Sequence, residues 1–259
     1  MPVAAVHGEH PGRPANAPEL LESRVCDPAT STTANSMDIE QARFNMVEQQ
    51  IRPWYVLDQD VLDLLFVVRR EEFVPPAYRA LAFTDMEIPL DVGGVRTGEC
   101  MLAPKVEARL LQHLEVRKHE TVVEVGAGSG YMAALLAHRG QRVRTYEIRP
   151  ELADFARENL RRAGISNVEV VTGNGAVLLE PGDETFDVIL LSGAIQFIPP
   201  ALFDRLKPGG RVAAIVGEEP VFAAQIIRKQ GYRVTVPERL FETATRPLHG
   251  FPRRAEFAF

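Results

Sequence analysis

Cysteine is scarce. Only Cys26 and Cys100 occur, and Cys26 falls in a stretch read below as disordered. A disulfide framework is therefore excluded as the source of stability, and a reducing compartment is expected. No run of about 18 apolar residues exists, so no membrane-spanning helix is expected. The first residues lack a basic stretch followed by an apolar one, so no signal peptide is expected, and the cytoplasm is the expected location. Positive charge is also short: 29 Lys and Arg stand against 35 Asp and Glu, a net charge of -6. That argues against a nucleic-acid binder dominated by phosphate contacts. The six histidines are scattered and share no metal-ligand spacing with cysteine, so no metal is expected. What is present, 46% hydrophobic and 25% charged residues, is ordinary globular composition.

Residues 1–36 are rich in Pro, Ala, Ser and Thr and nearly free of large apolar side chains. Such a segment buries too little surface to offset its ordering entropy, so a disordered tail is expected, with Met37 a sensible start. One domain is expected over 37–259: a helical and substrate-loop part over 37–115 and a core over 116–259. In the first part, a helix ends at Pro53 and a second follows Asp58, its N-cap, with Val61, Leu65 and Val68 on one face. The segment 91–100 reads as a glycine-rich loop, and Pro104 opens a helix through about Leu114.

From residue 120 strands and helices alternate. Strands are expected at 121–125, 142–147, 167–172, 187–191, 211–216, 232–236 and 254–259. Helices are expected near 130–138, 150–163, 200–206 and 220–229, with a turn at "KPGG". This alternation implies an α/β fold, a Rossmann-like, doubly wound, mostly parallel sheet with an N-terminal helical extension.

The stretch "VVEVGAGSGYMAAL" (122–135) carries the chemistry. A strand runs through glycines into a helix, so backbone approaches a ligand closely there. A dinucleotide fingerprint needs a small residue where this chain has Tyr131, and no G-K-[ST] follows for a Walker loop. The loop suits a nucleoside cofactor without phosphates. Glu147 closes the next strand, where a carboxylate can accept from both ribose hydroxyls. That acid alone does not separate the readings, because nicotinamide cofactors also carry a ribose diol.

The order E-x-G-x-G-x-G, an acid ending the next strand, G-N-G and "KPGGR" resembles the seven-strand S-adenosylmethionine-dependent methyltransferases. "MVEQQIR" (46–52), "REEFVPPAYRALAFTDMEIPL" (70–90), "NVEVVTGNG" (167–175) and "IPPALFDRLKPGGR" (198–211) are similar to the protein-L-isoaspartate O-methyltransferase family. The similarity runs from about Met37 to Arg211 and is looser beyond. It implies S-adenosylmethionine as cofactor and a protein or peptide substrate. It carries Gly126, Gly128 and Gly130 over as the cofactor loop and Glu147 as the ribose ligand. Asn174 stands where the family has an acid near the adenine, and its amide oxygen is the atom expected to meet the base. Glu124, which opens the motif, either touches cofactor or caps backbone groups beneath the loop.

The chain departs from the family at G-x-T-I-S-Q-P, whose hydroxyls help to hold cofactor and substrate carboxylate. Here Cys100 replaces the threonine and Leu102 the serine; Thr97 is nearby but out of register. Met101 and Leu102 are expected in the core. Methyl transfer to a carboxylate needs no general base, because the nucleophile's unperturbed pKa is about 4. The catalytic residue is therefore open, with Thr97 a possible substitute, and a serine restored at 102 is expected to raise activity. The leading function is isoaspartyl methylation. The alternatives are a changed methyl acceptor and a non-catalytic S-adenosylmethionine-binding protein, with a dinucleotide oxidoreductase disfavoured by Tyr131.

Overall fold

The protein is seen here as a computed structural model that describes residues 38–254. The expected tail, the start at Met37, and all but the first residue of the strand expected over 254–259 lie outside the described residues. Helix α1 (38–45) continues as a wider π-helical segment, Met46–Ile51, and closes in a 3-10 turn at Arg52–Trp54. Pro53 cannot donate to a continuing helix, which ends the run. Helix α2 is Gln59–Val67. Asp58 caps it, its Oδ1 accepting from the backbone N–H of Asp60 at 2.9 Å and of Val61 at 3.4 Å. The face expected from spacing, Val61, Leu65 and Val68, is buried. Strands β1 (Ile88–Pro89) and β2 (Cys100–Met101) then pair antiparallel across the glycine-rich loop. Helix α3 is Pro104–Leu114, with Pro104 in its first turn.

The core follows as β3 (Thr121–Val125), α4 (Tyr131–Arg139), β4 (Arg142–Glu147), α5 (Pro150–Arg162) and β5 (Val168–Thr172), then β6 (Phe186–Ile195), α6 (Ala201–Asp204), β7 (Leu206–Glu218), β8 (Val221–Gln230), β9 (Arg233–Val234) and β10 (Glu238–Glu242). Sheet order is β10-β8-β7-β6-β3-β4-β5, with β9 pairing β8. Strands β5, β4, β3, β6 and β7 run parallel; β8 and β10 are antiparallel additions at one edge. The fold is thus a Rossmann-like α/β sheet with helices before it.

Alternate residues feed opposite layers. Val122, Val188 and Leu190 pack with the helices α2 to α4, while Val123, Ile189 and Leu191 face the other side with Leu202. A strand buried on both faces reads as a continuous apolar run, as these do. Three expectations need correction. The helix near 220–229 is strand β8, in register with β7 from Arg211↔Arg228 to Glu218↔Val221. The strand at 232–236 shrinks to β9, and β10 was not foreseen. The turn at Lys207–Gly210 survives as an irregularity inside β7, between the pairs Phe186↔Leu206 and Val188↔Arg211.

From β3 the chain goes one way to β4 and β5 and returns the other way to β6 and β7. At that reversal a crevice opens beyond the carboxyl ends of the strands, the usual ligand position in such sheets.

Candidate functional site

The crevice has four walls. Its floor is Gly126 and Gly128; Glu147 and Ile148 form one side; Ser192 and Gly193 stand opposite. Glu99 and Cys100 from the glycine-rich 91–100 loop and the late segment Thr245–His249 close the rest.

The glycine turn is tied to the end of β4, since Gly126 and Ala127 both donate backbone N–H to Tyr146 O, at 2.9 and 3.1 Å. Gly128 has φ +53, and a Cβ on it would lie 3.1 Å from Leu90 Cδ1, so any side chain there is strained and crowded. Gly130 has a different task. Its φ is +82 and an added Cβ would meet the Ala156 carbonyl oxygen at 3.2 Å, so it lets α4 pack against α5. It does not line the crevice.

Glu147 is almost fully buried at the crevice edge. Its Oε2 accepts from Gly128 N at 2.9 Å and its Oε1 from Arg149 N at 3.0 Å. A carboxylate has about four acceptor positions, so each oxygen keeps one. Burial pushes its pKa up, against the pull of the Arg149 and Gly128 N–H groups. Ile148 beside it is 43% exposed, an open apolar face.

Glu124, expected among the cofactor ligands, does not line the crevice. It is wholly buried, where Thr145 Oγ1 donates to it at 2.8 Å and Ser192 Oγ at 2.7 Å. Burial pushes its pKa up to about 8. It joins β3 to its two neighbours beneath the loop. Asn174 does line the crevice, but its Oδ1, the atom expected to meet a base, already accepts from Ala176 N at 2.9 Å. Its amide nitrogen is the free group.

Neither candidate hydroxyl position is open. Leu102 is buried in the core with Met101, as expected, and absent from the crevice. Thr97 is buried too; its Oγ1 donates to Leu90 O at 2.9 Å and accepts from Glu99 N at 3.1 Å, holding its own loop. Cys100 reaches the crevice, and burial pushes its thiol pKa up.

Sequence reasoning missed Ser192 and Gly193; of the late segment it marked only His249, as a loop residue, and the arginines near it, as able to attract an anionic substrate. The Ser-Gly pair after an apolar strand was an available signal; the late segment had only its arginines to mark it. That segment is docked by two backbone bonds, Ala194 N to Arg246 O and Leu248 N to Ala194 O, each 2.8 Å. Leu248 closes over Gly193, where an added Cβ would lie 2.7 Å from its Cδ2. Among the described residues, no group of three His, Cys, Asp or Glu could hold a metal, and no helix is long and apolar enough to cross a membrane.

Residues 41–248 match the family model described as protein-L-isoaspartate(D-aspartate) O-methyltransferase. The chain is 38% identical over 196 residues to the protein-L-isoaspartate O-methyltransferase of Methanoculleus marisnigri, covering 75% of this chain and 86% of that one. To the enzyme so named from Aeropyrum pernix it is 40% identical over 193 residues, 73% of this chain and 72% of that one. A solved structure of a protein-L-isoaspartate O-methyltransferase aligns with TM-score 0.67 at 24% identity, covering 80% of this chain and 66% of that chain. At that identity the likeness speaks for the fold.

Proposed function

The chain belongs to the protein-L-isoaspartate(D-aspartate) O-methyltransferase family, and from that premise we propose that it methylates the carboxylate of isoaspartyl residues in damaged proteins. The cofactor is S-adenosylmethionine, which supplies an electrophilic sulfonium methyl. The observation that carries the reading is Glu147, fixed by two backbone N–H groups with an acceptor position left on each oxygen. That arrangement fits a ribose diol. Exposed Ile148 offers the base an apolar face, and the Asn174 amide nitrogen offers it a donor. Gly126 and Gly128 let the ligand lie on backbone; Gly130 serves by packing and Glu124 by bracing the strand ends. One domain over 37–259 holds the site, with 37–115 supplying the acceptor side.

Bound S-adenosylmethionine would supply the methyl group to the substrate carboxylate, leaving a methyl ester and S-adenosylhomocysteine. No proton moves, so this chain's residues have to orient the carboxylate and exclude water. Leu90 and Leu248 crowd the floor and keep it apolar. The test is transfer of labelled methyl from S-adenosylmethionine to an isoaspartyl peptide and its aspartyl control. Label on the isoaspartyl peptide alone is expected. Equal labelling of both, or of neither, overturns the reading. A changed carboxylate acceptor is favoured by one observation, the absence of a free hydroxyl at 97 or 102.

A further inference from the structure

Something must hold the acceptor carboxylate, and the hydroxyls of Thr97 and Ser192 are already committed. Thr97 is bonded within its loop. Ser192 donates to Glu124, and Thr245 lies beside the half-buried Glu87. Position 102 is a buried carbon chain.

We propose that Arg246 grips the substrate carboxylate and determines the specificity of this site. This rests on the carboxylate-methylating reading above. Arg246 lies on the crevice wall facing the 91–100 loop. Its backbone is fixed through the 2.8 Å bond from Ala194 N, so the side chain starts from a defined point. Its guanidinium lies beside the Cys100 thiol and acts on the charge of Glu87. It is exposed and forms no ion pair among the described residues. Neither acid nearby forms an ion pair with it. Glu99 is held by Arg149 at 3.1 Å. Glu87 is a half-buried carboxyl whose pKa burial pushes up, with one buried oxygen lacking a hydrogen-bond partner. A guanidinium presents paired donors that match a carboxylate, which a hydroxyl does singly.

The kinetic signature follows from charge. The carboxylate is a full anion when it binds and loses charge as the ester forms. Arg246 therefore stabilises bound substrate more than the transition state. Removing it should raise KM and leave kcat unchanged or higher. The neutral ester product has nothing for the cation to hold, which aids release.

The test uses the full chain, with Arg246→Ala and Arg246→Lys. Calorimetry with S-adenosylhomocysteine checks that the cofactor crevice is intact, with affinity expected within about twofold of wild type. Two readouts follow: methyl-transfer kinetics on an isoaspartyl peptide, and binding of that peptide to the S-adenosylhomocysteine-loaded protein. Arg246→Ala should raise KM and the peptide Kd by about tenfold or more, with kcat not reduced, and lysine should restore part of the loss. Unchanged KM and Kd in Arg246→Ala overturn the anchor while leaving the reaction standing. So does a fall in kcat alone, the mark of a structural role. Arg246-dependent peptide binding without methylation keeps the anchor and sinks the reaction. A wild-type chain that neither binds nor methylates the peptide sinks both.

Discussion

Glu124 sits where water does not reach, and its carboxyl is held up at about 8 against an ordinary 4.5. The folded chain keeps a proton there that the unfolded chain releases. This group's contribution to stability is therefore whole below about pH 4.5 and is lost as pH rises through about 8. Over that window the loss approaches about 1.4 kcal/mol per pH unit. Glu124→Gln keeps a neutral group able to bond Thr145 and Ser192 and has nothing to titrate. Urea midpoints measured between about pH 5 and 9 should fall for wild type and fall less for the variant. Parallel curves would show that this carboxyl is not responsible. Leu102 is the other residue with a direct consequence. The sequence suggested that serine there raises turnover, yet the side chain is packed in the core. Leu102→Ser is expected to cost about 2–5 kcal/mol without raising isoaspartyl turnover. A gain in turnover would show that position 102 reaches the acceptor after all.

Among the elements, buried Arg70 ties the segment at Leu102 to α3 and α4, as Arg149 ties Glu99 to α5. Buried Arg70 donates to Ala82 O at 3.1 Å and to Leu102 O at 2.6 Å, pairs with Glu107 of α3, and lies 5.1 Å over the Tyr131 ring of α4. Arg70→Ala leaves Glu107 buried without its partner, which typically costs about 3–5 kcal/mol. Denaturant unfolding checks the size; a loss near zero would mean that Arg70 does not hold the segment. Much at this scale was legible from local signals: Asp58 and the prolines 104 and 150 act within one turn of themselves. Strand β8 was not. Ala224 and Ile226 enter one core layer and Ile227 the other, so the apolar residues fall in adjacent pairs and imitate a helical spacing. What makes the segment a strand is its pairing, with β7 through the hairpin at 219–220 on one side and with β10 on the other. The crevice divides the same way. The glycine turn and Glu147 announce themselves within about 25 residues, whereas Arg246 arrives through two backbone bonds to Ala194.

For the molecule as a whole, a ligand that binds only the folded chain raises its melting temperature. S-adenosylhomocysteine at about a hundredfold its Kd contributes about 2.7 kcal/mol. For a domain of this size that is a rise of roughly 5–11 °C. NADH should give no comparable rise, and Glu147→Gln should lose most of the shift with S-adenosylhomocysteine. A rise with NADH that matches it would return the glycine turn to the dinucleotide reading.

The last wall of the crevice, Thr245–His249, follows every strand of the sheet among the described residues. Ribosomes deliver residues in order, and domains begin to fold as they emerge. The glycine turn and Glu147 leave the tunnel well before Arg246 and Leu248 do. Until then the crevice has its floor and two facing sides, and the Thr245–His249 wall is the part added last.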